Sequence, residues 1–105
     1  MATIFSKIIN REIPAEIEYE DELCIVIKDK YPKAPVHLLI IPKKEITTIM
    51  EVKDEDQALL GHLMLVARDM GKKMGLEGYK LTFNVGEKGG QEIFHIHLHL
   101  TSTSA

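Results

Sequence analysis

The chain has 105 residues, 45% of them apolar and 28% charged, with a formal net charge of −3. That length suits one hydrophobic core, a single domain over 1–105, and the composition excludes disordered and fibrous classes. No basic stripe is available to displace counterions from a nucleic-acid backbone, so nucleic acid is not an expected partner, whereas a mononucleotide needs only a few well-aimed donors.

The opening Met-Ala-Thr-Ile-Phe-Ser-Lys lacks the apolar run of a secretory signal. No stretch approaches the ~20 apolar residues of a membrane helix, so no membrane partner is expected. Ile4–Ile9 places apolar side chains at 4, 5, 8 and 9, the spacing of a short amphipathic helix. Pro14 separates that helix from Glu16–Glu20, which alternates like an edge strand. After the Asp21-Glu22 turn, Leu23–Lys28 is rich in β-branched residues and reads as a strand. The one cysteine, Cys24, lies in that apolar run. It reads as a buried thiol, rules out a disulfide within these residues, and fits a reducing, cytoplasmic location.

Tyr31–Pro35 is a stiff loop, because each proline fixes its own φ and restrains its predecessor. Val36–Ile41, apolar except for His37, reads as a strand covered on both faces and ended by Pro42. Asp54 is the expected N-cap of a helix, with Gln57 reaching back to it. Apolar residues at 59, 63, 66, 67, 70 and 74 hold one helical face, and Gly75 is a natural residue just past its end. Leu60 and Met64 fall off that stripe and hint at a second covering surface, a homodimer. Tyr79–Val85 reads as a strand, Gly86–Gly90 as a glycine-rich loop, and Ile93–Thr101 as the last strand. The whole is α+β, an antiparallel sheet with helices packed on one side.

Phe94-His95-Ile96-His97-Leu98-His99-Leu100 alternates strictly, which puts Phe94, Ile96, Leu98 and Leu100 on a core face and three imidazoles on the other. Three histidines in line pack no better than threonine or valine, and they titrate near neutrality. They could be a solvated face or a metal site. However, His95 and His99 would lie ~13 Å apart at ~3.3 Å per residue. That span is awkward for one ion at Zn–N distances of ~2 Å. A linear array suits an extended substrate, with a central nucleophile attacking phosphorus and polar neighbours on either side. The loop Asn84–Gln91, with three glycines in five residues, could turn backbone N–H groups toward one anion ahead of this strand.

His95-Ile96-His97-Leu98-His99-Leu100 resembles the histidine triad (HIT) motif, His-φ-His-φ-His-φ-φ. The Ile4–Ile9 opening, Glu12-Ile13-Pro14, Ala34-Pro35-Val36-His37, Ile40-Ile41-Pro42-Lys43-Lys44 and Gly89-Gly90-Gln91 resemble the Hint branch of that family in the same order. The resemblance implies a HIT-like α+β fold of about five antiparallel strands with one long and one short helix. It also implies a homodimer whose two sheets join, and no cofactor or resident metal. The implied reaction is hydrolysis of the P–N bond of purine nucleoside phosphoramidates, such as adenosine 5′-monophosphoramidate or GMP derivatives. His97 corresponds to the family's nucleophile, and His99 to the histidine near the leaving group. His95 and His37 complete the polar cluster. Asp29 matches the ribose-binding aspartate, Ile4, Phe5, Ile8 and Ile27 match walls of the base pocket, and Asn84, Gly90 and Gln91 match positions near the phosphate. Thr101 replaces the usual apolar residue, Glu92 stands where some members have serine, and the chain stops at Ala105 without the tail common in the family. The leaving-group preference is therefore left open. The alternative function is a purine-nucleotide-binding regulatory or scaffold protein with weak hydrolase activity.

Overall fold

A computed structural model describes residues 2–103. Five strands, β1 (Ile17–Glu20), β2 (Cys24–Lys28), β3 (Val36–Pro42), β4 (Lys80–Thr82) and β5 (Leu98–Ser102), form one sheet in the order β1-β2-β3-β5-β4. Every neighbouring pair is antiparallel. The short helix α1 (Ile4–Ile9) precedes the sheet, and the long helix α2 (Gln57–Lys73) lies between β3 and β4. The HIT-like arrangement of five strands and two helices expected from the sequence is therefore present.

The expectation of helices on one side is corrected. Both alternate sets of side chains in β2 and β3 are apolar, so both sheet faces need cover. Cys24, Val26, Val36, Leu38, Ile40, Leu98 and Leu100 pack with Leu63, Val66, Ala67 and Met70 of α2. Ile25, Ile27, Leu39 and Ile41, one residue out of phase, pack instead with Phe5 and Ile8 of α1. Each such side chain removed from water contributes about 1.5–3 kcal/mol. His37 shares the strand parity of Leu39, and Leu39 pairs with His99, so the imidazoles line the α1 face.

The helix ends have local causes. Thr3 and Ser6 cap α1 reciprocally: the Ser6 Oγ accepts the Thr3 N–H at 2.8 Å and the Thr3 Oγ1 accepts the Ser6 N–H at 3.3 Å. Gly75, at φ +67°, ends α2. Its N–H reaches the Lys72 carbonyl and the Leu76 N–H the Gly71 carbonyl, both at 3.0 Å, which is the Schellman pattern. At the other end Asp54 is not the cap. Asp54–Asp56 is a 3₁₀ turn, and Asp56 accepts the Lys53 N–H at 3.0 Å and the Lys44 ammonium at 2.6 Å.

Two strands are shorter than expected. β4 spans only Lys80–Thr82, its last pair being Thr82 with His99, and Gly86 further on has a φ of +72°. β5 begins at Leu98; residues 93–97 leave the sheet and are fastened instead to the segment after β3, with the Ile96 N–H on the Ile46 carbonyl at 2.8 Å. Phe94, expected in the core, is 43% exposed as a result. Leu60 packs against the α2-side core, while Met64 and its neighbour Leu65 are exposed. Cys24 is fully buried as expected, and burial pushes its thiol up to about 12. Among the described residues no helix is long and apolar enough to cross a membrane.

Candidate active site

The site forms where β3 and β5 pair beside α1 and the end of β2. The register sets His37 opposite Thr101 and Leu39 opposite His99, so the two histidines meet on a diagonal. Their Nε2 (His37) and Nδ1 (His99) are 2.9 Å apart. The His97 ring comes next, its centroid 4.8 Å from that of His99, and the Phe5 ring meets it edge-on at 4.7 Å. Asp29 closes the group from the end of β2. Its N–H donates to the His37 carbonyl at 3.0 Å, its Oδ1 accepts the Tyr31 N–H at 2.9 Å, and its Oδ2 lies 3.4 Å from the His37 Nε2.

Burial controls the charge of these rings. Desolvation pushes the pKa values of His95 and His97 down, and it brings His99 to about 4 with help from the His97 and His37 charges. At neutral pH His95, His97 and His99 are therefore uncharged. A carbonyl can only accept, so the 2.8 Å contact from the His97 Nδ1 to the His95 carbonyl fixes the proton on Nδ1. The lone pair is left on Nε2, where a neutral imidazole is a nucleophile or a metal ligand. His95 points elsewhere: its Nε2 donates to the Pro42 carbonyl at 2.7 Å, and its Nδ1 is buried without a partner among the described residues.

The glycine loop is held from inside. The Gln91 side chain is buried; its Oε1 accepts the Gly86 N–H at 2.9 Å, and its Nε2 donates to the carbonyls of Thr47 at 2.6 Å and Ile93 at 3.1 Å. The N–H groups of Gly89, Gly90 and Gln91 also bond to loop carbonyls. These amides thus serve the turns of the loop, and the open anion nest expected from three glycines is largely filled by the loop itself. Asn84 brings the loop to the imidazoles, its side-chain amide 3.5 Å from the His99 Nε2.

A family model described as scavenger mRNA decapping enzyme C-term binding matches residues 2–105. A HIT-like protein of Synechococcus elongatus is 52% identical over 99 residues, covering 93% of this chain and 87% of its own. The purine nucleoside phosphoramidase of Escherichia coli is 46% identical over 100 residues, covering 93% of this chain and 84% of its own. The chain belongs to the HIT family. A crystal structure of a HIT family hydrolase from Legionella pneumophila superposes with a TM-score of 0.94 at 47% identity, covering 96% of this chain and 92% of that one.

Of the residues marked by the HIT motif, His97 and His99 thus stand together with His37 and Asp29, while His95 is turned toward the end of β3. The straight row of three imidazoles on an open face is corrected, because only His99 lies within β5 and His97 is just 8% exposed. Phe5, Ile8 and Ile27 are buried in one cluster, of which Phe5 meets the His97 ring, whereas Ile4 is 48% exposed. A surface hollow lined by Ser6, Ile9, Asn10, Lys43 and Glu45 contains none of the histidines.

Among the described residues two sets of side chains could hold a cation. The ligand atoms of Asp29, His37 and His99 lie within 4.8 Å of one another, as do those of Asp21, Cys24 and His62. Neither set includes His95 or His97. Sequence reasoning overlooked His62, which bonds Asp21 at 2.7 Å. A single histidine on a helix gives no signal of a partner 41 residues away.

Proposed function

We propose that this HIT chain acts as one domain that hydrolyses the P–N bond of purine nucleoside phosphoramidates through a covalent nucleotidyl–His97 intermediate. The observation that carries this reading is the His97 ring with its Nδ1–H held on the His95 carbonyl at 2.8 Å, which leaves the lone pair on Nε2, and with its centroid 4.8 Å from that of His99. Likeness to the purine nucleoside phosphoramidase of Escherichia coli supports the substrate class. In the first step the His97 Nε2 lone pair forms a bond to the α-phosphorus and the P–N bond of the substrate breaks. The leaving nitrogen takes up a proton from solvent by way of the His99 N–H. Water then attacks phosphorus, the bond to Nε2 breaks, and a proton returns to solvent, so the net change is addition of one water. Asp29 would accept hydrogen bonds from the ribose hydroxyls, and the apolar cluster of Phe5, Ile8 and Ile27 would support the base. The setting proposed is cytoplasmic.

We also propose a homodimer. Exposed Met64 and Leu65 on α2 and the outer edge of β4, which pairs only with β5 among the described residues, support it. Turnover of adenosine 5′-monophosphoramidate and its 2′-deoxy analogue, with and without EDTA, tests the activity. The expected result is EDTA-independent release of AMP with the deoxy compound the poorer substrate. No turnover, or turnover restored only by added zinc, would overturn it.

A further inference from the structure

We infer that the backbone N–H of Lys33 is a positioning group that sets the tautomers of His37 and His99 from outside the imidazole cluster. A backbone amide can only donate, and the Lys33 N–H meets the His37 Nδ1 at 3.1 Å. The proton of a neutral His37 therefore sits on Nε2. A second observation requires the same: Nε2 faces the Asp29 Oδ2, which as a carboxylate oxygen accepts, at 3.4 Å, and the His99 Nδ1 2.9 Å away then takes the acceptor role. Because His99 accepts through Nδ1, its own proton is forced to Nε2, which requires the Asn84 amide, 3.5 Å away, to present its oxygen rather than its NH2 group at that nitrogen. His97 has the opposite polarity, with its proton on Nδ1. Neighbouring rings are thus held as one with an Nε2 lone pair and one with an Nε2–H.

That complementary pair is what attack on phosphorus and delivery of a proton to a leaving group require, so the catalytic consequence rests on the function proposed above. The donor lies in the Tyr31–Pro35 loop, where Pro32 and Pro35 restrict the backbone on either side of Lys33 and keep the amide aimed. The side chain of Lys33 has no part in the chain of bonds. Most residues at position 33 would serve, but proline would not.

The test is ¹⁵N-histidine NMR of the intact protein near pH 7, where long-range couplings report which ring nitrogen carries the proton. In the wild type, His37 and His99 should give the Nε2–H pattern and His97 the Nδ1–H pattern. K33P, which removes the donor, should shift His37 and His99 to mixed tautomers and lower kcat at least tenfold, with KM changed less than about twofold. K33A keeps the amide and should keep the wild-type tautomers. An Nδ1–H pattern for His37 in the wild type would overturn the inference without any variant. A folded K33P with unaltered tautomers would also overturn it, as would a K33A that loses them. The tautomers are read without substrate, so an inactive protein with these patterns would defeat the proposed reaction and leave this inference standing.

Discussion

His97 is enclosed rather than displayed, 8% exposed with the edge of Phe5 against its ring. His97→Ala should therefore do two things. Removing the proposed nucleophile should cut kcat below about 1% of wild type, since the covalent route goes with it. Emptying a buried ring site should also cost about 1–3 kcal/mol of stability, read as a lower denaturation midpoint. Substantial residual turnover in a folded variant would remove His97 from its role. At this scale the sequence singled out the histidines as candidates, because alternating imidazoles from 95 to 99 have no packing explanation. It was silent on orientation. The contacts of His95 with the Pro42 carbonyl and of Lys33 with His37 join segments far apart or turns of irregular backbone, and periodicity says nothing about either.

Among the elements, α1, β2 and β3 were legible almost to the residue, since apolar spacing and the prolines mark them. β4 and the start of β5 were not. Their apolar alternation continues past the last ladder bond, and the sequence does not reveal that residues 93–97 are bonded to the segment after β3 instead. The placement of both helices on one side failed for a related reason: the apolar run of β3 was read as covered on both faces, but α1 was not recognised as the second cover. The junction of α2 and β4 offers a test of packing between elements. A Cβ on Gly71 would lie 2.5 Å from the Tyr79 Cε1, so the helix approaches the ring only because position 71 has no side chain. Gly71→Ala should cost about 1–3 kcal/mol despite its better helix propensity. Adding Tyr79→Ala should recover part of that loss. Stabilisation by the single change in chemical denaturation would show that the ring moves freely.

The molecule as a whole sets the pH response, because the three triad histidines are desolvated together. Above about pH 6.5 they are neutral in both folded and unfolded chains and contribute nothing to the difference. Below that, the unfolded chain takes up protons that the fold resists, down to about 4 for His99. Stability should therefore fall as pH drops from 6.5 to 4, with His99 the largest contributor. Denaturant titrations at pH 7, 5.5 and 4.5 check this, and in His99→Ala the slope should flatten. The exposed Met64–Leu65 surface predicts a particle of twice the chain mass by light scattering at micromolar concentration, and a monomer would contradict the homodimer. The proposed chemistry, nucleotide transfer to His97 and then to water, involves two in-line displacements at phosphorus. The measurement that tests it most directly is the stereochemical course with a nucleoside phosphoramidate made chiral at phosphorus by isotopic labelling. Two inversions predict net retention of configuration, whereas clean inversion would mean direct attack by water and contradict the covalent role of His97.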